Sequence, residues 1–183
     1  MKQKDVIVAS AAAAGLAGLG ALAWAVTKDE PLETVSHVDL EQYLGLWYEI
    51  ARFPQSFEEG CSCSVAEYSM NEDGSIRVLN SCFKDGELHT AEGSATVTDK
   101  KTNAKLKVKF FAPFTGKYWI IALASDYSYA MVGHPNRKYL WILARKPQMN
   151  NQVYNHLVVQ AAGQSFDIRK LVKTVQDCEH VSV

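Results

Sequence analysis

In Lys105-Leu106-Lys107-Val108-Lys109-Phe110, every apolar residue stands two positions from the next, with a lysine in each gap. That period fits an extended strand with one buried and one wet face, because successive side chains leave a strand on opposite sides. The chain from Trp47 to Ala144 repeats this grammar in short runs. Expected strands are Trp47–Phe53, Ser64–Met70, Ser75–Phe83, Glu87–Thr98, Ala104–Phe111, Lys117–Ala124, Tyr129–Gly133 and Tyr139–Ala144. Turn-forming stretches separate most of them, among them Asn71-Glu72-Asp73-Gly74, Lys84-Asp85-Gly86 and His134-Pro135-Asn136. Eight short strands with no helix between them predict an all-β fold, an eight-stranded antiparallel up-and-down barrel. Such a barrel is just wide enough inside to hold one small ligand.

The period then lengthens. Asn150–Ala162 carries Val153, Leu157, Val158 and Ala161 at helical spacing, with Asn150 or Asn151 as a cap and Gly163 as a stop. One C-terminal α-helix over 150–162, packed outside the barrel, is expected.

Ahead of the strands, Val6–Val26 is a run of 21 residues without a charge. Lys2 and Lys4 precede it, and Lys28, Asp29 and Glu30 end it. About 20 apolar residues span a bilayer as a helix. Ala21-Leu22-Ala23 and Ala23-Trp24-Ala25 also fit a signal-peptidase site. The expected organisation is residues 1–27 as a signal peptide or an uncleaved apolar membrane anchor, 28–37 as a linker, and 38–183 as the barrel. The length of the run favours the anchor. The basic flank keeps the N-terminus cytoplasmic and sends the rest across. The domain is therefore expected outside the cytoplasm, anchored on the periplasmic side of an envelope membrane or secreted. No cysteine closes the run, so lipidation is not expected.

Cys61, Cys63, Cys82 and Cys178 form an even set, as in an exported, disulfide-bonded protein. The Cys61-x-Cys63 spacing is not that of a zinc knuckle, so no metal is expected. A four-residue loop at Asn71–Gly74 would put Met70 opposite Ser75 and Cys63 opposite Cys82. Cys63–Cys82 and Cys61–Cys178 are the expected bridges. A net charge of -1 with no basic cluster gives nucleic acid nothing to bind. No Gly-x-Ser-x-Gly, His-Glu-x-x-His or phosphate loop occurs, and no two of the five histidines have metal-ligand spacing. A reactive Cys82 thiol is the one catalytic route the residues offer. Neither an enzyme nor a cofactor is expected.

Three blocks in order carry a resemblance. Tyr43-Leu44-Gly45-Leu46-Trp47-Tyr48-Glu49-Ile50-Ala51-Arg52 resembles the Gly-x-Trp opening of lipocalins. Ser125-Asp126-Tyr127-Ser128-Tyr129-Ala130 and Tyr139-Leu140-Trp141-Ile142-Leu143-Ala144-Arg145 resemble the second and third blocks, with the terminal Arg. The chain is most similar to the subgroup of bacterial outer-membrane lipocalins and apolipoprotein D. The resemblance implies a barrel closed by Gly45, Trp47 and Arg145, with the guanidinium over the indole. It implies a small hydrophobic ligand, a fatty acid or lysophospholipid, with haem and pigments as other possibilities. It also implies a link between the early cysteines and the C-terminal segment, in line with Cys61–Cys178, and a pocket-lining role for Trp141.

If Trp47 and Arg145 point inward, alternation turns Trp141, Leu143, Glu49 and Ala51 inward as well. Leu106, Val108 and Phe110 form the inward set of their strand, and Tyr118, Ile120 and Met131 complete the expected lining. A glutamate in an apolar barrel needs a partner or a raised pKa. Glu49 is then either a head-group contact or part of a closed polar network. A lipocalin-fold enzyme, or an envelope interaction protein without a carrier role, is the alternative to a lipid carrier.

Overall fold

The structure, a computed structural model, describes residues 31–111 and 114–178. Residues 6–26 lie outside the described residues. Among those described, no helix is long and apolar enough to cross a membrane.

Eight strands follow one another: β1 (Gly45–Arg52), β2 (Ser62–Met70), β3 (Ile76–Lys84), β4 (Glu87–Val97), β5 (Lys105–Phe111), β6 (Phe114–Leu123), β7 (Tyr129–Gly133) and β8 (Leu140–Ala144). Each pairs antiparallel with the next, and β1 pairs with both β2 and β8, which closes the barrel. A two-residue β9 (Val172–Lys173) adds to β1 from the C-terminal segment. A short helix α1 (Leu40–Tyr43) precedes the barrel, and α2 (Asn151–Gly163) follows it. The Asn150 side chain caps α2 by accepting from the Gln152 amide. Gly163 is the last helical residue, and the chain leaves the helix at Gln164.

The alternating strands give two apolar layers. One fills the barrel and includes Trp47, Val78, Leu106, Val108, Ile120, Val132 and Leu143. The other lies between the barrel wall and α2, where Leu157, Ala161 and Phe166 meet Ile121, Met131, Leu140 and Ile142. Gly133 belongs to this contact, because a Cβ there would sit 2.6 Å from the Phe166 ring.

One end of the barrel is closed. Gly45 turns the chain into β1 at φ +89°, a left-handed conformation that suits glycine. Trp47 follows, fully buried, and its indole N–H donates to the Tyr43 carbonyl at 2.8 Å. The Arg145 guanidinium lies 3.8 Å above the Trp47 ring. It also donates to the carbonyls of Leu46 (2.8 Å) and Gln42 (2.7 Å). The expected closing trio of Gly45, Trp47 and Arg145 is thus in place, and it ties α1 across the barrel floor.

The expected disulfides are corrected. The bridges are Cys61–Cys82 and Cys63–Cys178. Asp73 accepts from both the amide and the hydroxyl of Ser75, which holds Ser75 in the turn. Met70 therefore pairs with Ile76, one position beyond the expected register. A bulge between Ser62 and Val65, with Cys63 at φ 50°, shifts β2 again. Cys63 is thereby turned to the C-terminal segment, where its amide donates to the Val175 carbonyl at 2.7 Å.

Non-reducing peptide mapping should recover Cys61–Cys82 and Cys63–Cys178. Arg145→Ala removes the cation–π contact and three hydrogen bonds, so it should cost about 2–4 kcal/mol of unfolding free energy in urea titration. A loss within about 0.5 kcal/mol, the range of ordinary surface substitutions, would remove this trio from the account of barrel closure.

Candidate ligand-binding lumen

The strand register decides which side chains enter the barrel. Trp47 pairs with Ala66, Ala66 with Asn80, and Asn80 with Ala91, so these four share the inner face. Val78 pairs with Gly93, and Ala95 with Val108. Ala66, Ala91, Gly93 and Ala95 thus put a run of small residues on the β2–β4 wall, beside Tyr68, Ile76 and Val78. Ala66 and Asn80 are half-buried and Ala91 is exposed, which leaves that wall accessible.

Most of the expected lining is where alternation placed it. Leu143, Leu106, Val108 and Ile120 lie in the inner layer, with Trp141 and Tyr118 partly buried against it. Phe110, 37 % exposed, sits against Gly93 near the open end. Two expected residues are corrected. A bulge between Glu49 and Ala51 sends both Ile50 and Ala51 to the helix side. Met131 pairs with Ile142, while Ala130 and Val132 pair with the inward Leu143 and Trp141, so Met131 packs under α2.

Two polar clusters interrupt the apolar lining. Deep in the barrel, Tyr118 hydrogen-bonds Tyr43 at 2.8 Å and Tyr68 at 3.0 Å through their hydroxyls. Burial raises the Tyr68 hydroxyl to about 12 and pushes Tyr43 and Tyr118 well above the usual tyrosine value. The three remain neutral and satisfy one another. Sequence reasoning included only Tyr118 of this set.

The second cluster lies toward the open end. The same bulge in β1 brings Arg52 to the Glu49 side. Arg52 Nη1 donates to Glu49 Oε1 at 2.7 Å and to the Thr174 hydroxyl at 3.1 Å, and Thr174 donates to Glu49 Oε1 at 2.6 Å. Arg52 Nη2 donates to the Glu58 carbonyl at 2.9 Å, and its Nε is 3.3 Å from the Glu58 carboxylate. The Trp141 indole N–H reaches the other Glu58 oxygen at 3.4 Å. Trp141 stacks on Tyr139, with centroids 6.1 Å apart. Glu49 therefore belongs to a closed polar network. Arg52, Glu58 and Thr174 were not in the expected set: a bulge inverts the face of Arg52 and leaves no mark in hydrophobic periodicity, while Glu58 and Thr174 come from the β1–β2 connection and the C-terminal segment.

This cluster has two carboxylates and one guanidinium. Burial raises Glu49 above the usual carboxylate range, opposed by Thr174 and Arg52. Burial first, and then the negative charge of Glu49, pushes Glu58 up to about 7, opposed by Arg52 and Trp141.

All four cysteines are in disulfides, so the Cys82 thiol route is closed. Among the described residues, the one grouping with metal-like spacing is Cys63, Asp177 and Cys178, and its sulfurs are bonded to each other.

A closed antiparallel barrel with an apolar interior, a plugged floor and a polar cluster toward its open end defines a calyx that binds small hydrophobic molecules. The chain belongs to the lipocalins: the family described as "Lipocalin-like domain" matches residues 38–176. It is 42% identical to temperature-induced lipocalin-1 of Arabidopsis thaliana, over 82% of this chain and 86% of the relative. It is 40% identical to the outer membrane lipoprotein Blc of Escherichia coli K12, over 80% of this chain and 84% of the relative. Rat apolipoprotein D is 39% identical, over 73% of this chain and 74% of the relative. Among solved structures, insecticyanin of the tobacco hornworm Manduca sexta superposes with a TM-score of 0.64 at 22% identity. That match covers 79% of this chain and 84% of insecticyanin, and supports the fold.

The raised Glu58 pKa gives a pH prediction. Below about 4.5 the carboxyl is protonated in both folded and unfolded chains. Between about 4.5 and 7 the folded state holds a proton that the unfolded state has released, so stability falls as pH rises through this window. A shift of this size corresponds to about 3 kcal/mol at most. Thermal unfolding at pH 5 and pH 8 should show the loss in the natural protein and much less of it in Glu58→Gln. Parallel profiles for the two proteins would contradict the assignment.

Proposed function

We propose that the barrel carries one single-chain amphiphile, a fatty acid or a lysophospholipid, outside the cytoplasm. Its acyl chain lies in the lumen and its head group beside Glu58 and Trp141, at the edge of the Arg52 cluster. The observation that carries this reading is the division of the lumen. Leu106, Val108, Val132 and Leu143 offer hydrocarbon deep inside, while charge is gathered beside Trp141 toward the open end. A ligand with one apolar and one polar end matches that division. The names of two relatives, an outer membrane lipoprotein and an apolipoprotein, agree with it.

The charge balance ranks the two ligand classes. With both carboxylates ionised the cluster carries one net negative charge, since Arg52 offsets only one of them. A cationic choline or ethanolamine group fits beside such a cluster and beside the Trp141 and Tyr139 rings. A free carboxylate is repelled until Glu58 takes up its proton. Lysophospholipid is the favoured cargo at neutral and alkaline pH. Residues 6–26 hold the protein in a membrane as an uncleaved anchor, or direct its export as a signal peptide.

Displacement of a fluorescent fatty acid, with quenching of Trp141, tests the reading. Trp141→Ala should weaken binding about tenfold, the equivalent of one lost aromatic contact. Fatty-acid affinity should rise from pH 8 to pH 6 and lysophosphatidylcholine affinity should not. No saturable binding of either ligand, together with an unchanged Trp141→Ala variant, would overturn it.

A further inference from the structure

The chain enters the described domain at a defined place. The Glu33 amide donates to the Gln164 side chain at 3.1 Å, and the Gln164 carbonyl accepts from Arg137 Nε at 3.1 Å. Arg137 lies in the turn between β7 and β8. That turn is at the open end, as are the connections β1–β2, β3–β4 and β5–β6. Leu32, 3 % exposed, is buried in the layer that holds Phe53 and Phe166. From there the chain runs away from the open end. The Val35 amide donates to the Ile120 carbonyl, and Val38 donates to Thr102 in the β4–β5 turn at the closed end. Traced backwards, the described chain ends at Pro31, toward the mouth.

The same end is apolar. Phe57, in the β1–β2 connection, is 68% exposed; Leu88, beside the β3–β4 turn, is 55% exposed; and Phe110 is 37% exposed. Among the described residues, the large exposed apolar residue at the closed end is Met70. Isolated apolar residues on a surface need no explanation, but two aromatics and a leucine around one rim mark a site of interaction with another apolar phase.

The length of the tether identifies that phase. The apolar run ends at Val26, and Thr27–Leu32 reach about 20 Å when fully extended. A domain held that closely, with Pro31 toward its mouth, has its mouth nearest the membrane. We propose that the mouth of the barrel docks on the bilayer that holds residues 6–26, with Phe57, Leu88 and Phe110 at the lipid surface, so that amphiphiles pass between bilayer and lumen directly. The proposal rests on the anchor reading of residues 6–26 given above.

The full chain is reconstituted into vesicles of phosphatidylethanolamine and phosphatidylglycerol, with p-benzoylphenylalanine placed singly at Phe57, Leu88, Glu72 or Lys100. Glu72 and Lys100 are exposed in turns at the closed end. Vesicles are floated after an alkaline wash, illuminated, and the protein mass is measured. Flotation with phospholipid adducts several-fold more abundant at Phe57 and Leu88 than at Glu72 and Lys100 is the expected result. Flotation with equal, reversed or absent adducts overturns the docking and leaves the anchor standing. A chain that does not float overturns the anchor, and the docking with it.

Discussion

The contact between Arg145 and Trp47 sets the geometry on which the rest of the barrel depends. The guanidinium covers the indole and binds carbonyls on both sides of Gly45, so the N-terminal segment is fixed across one end. With that end sealed by α1, Trp47 and the three tyrosines, the lumen has one entrance. The buried tyrosine hydroxyls at the floor pair with one another and stay protonated, so Arg145 is the charged group that closes this end. The carboxylates Glu49 and Glu58 are gathered toward the other end, and the lumen acquires a direction.

The bulge in β1 gives that direction its chemistry. In regular alternation Arg52 would share the Tyr48 face and point away from Glu49. The irregularity between Glu49 and Ala51 returns Arg52 to the inner side, where it neutralises Glu49 and touches Glu58. Buried carboxylates are costly without partners, and here two share one guanidinium. The unmatched charge falls on Glu58, beside Trp141, where an incoming head group would meet it.

Much of the architecture was legible in the residue order. The lysine–apolar alternation of β5, the turn residues and the helical spacing of α2 each report local constraints, and all eight strands and the helix follow from them. The closing trio and the inward placement of Trp141 and Leu143 followed from the lipocalin blocks and simple alternation. What failed did so where alternation breaks. Ala51 was misplaced because a bulge put two consecutive residues on one face, and Met131 because β7 is apolar on both faces, one toward the lumen and one toward α2. The disulfides were exchanged because Asp73 draws one more residue into the turn and β2 bulges at Cys63. Arg52, Glu58 and Thr174 come from a strand, a loop and the C-terminal segment, and their meeting is a property of the closed fold.

The central claim is that a single amphiphile occupies this lumen. Native mass spectrometry of the protein after incubation with lysophosphatidylcholine tests it most directly when compared with Ala91→Trp, which fills the small-residue wall. The account predicts one ligand per chain in the natural protein and none in the folded variant. Equal occupancy of the two proteins, or no retained ligand in either, would contradict it.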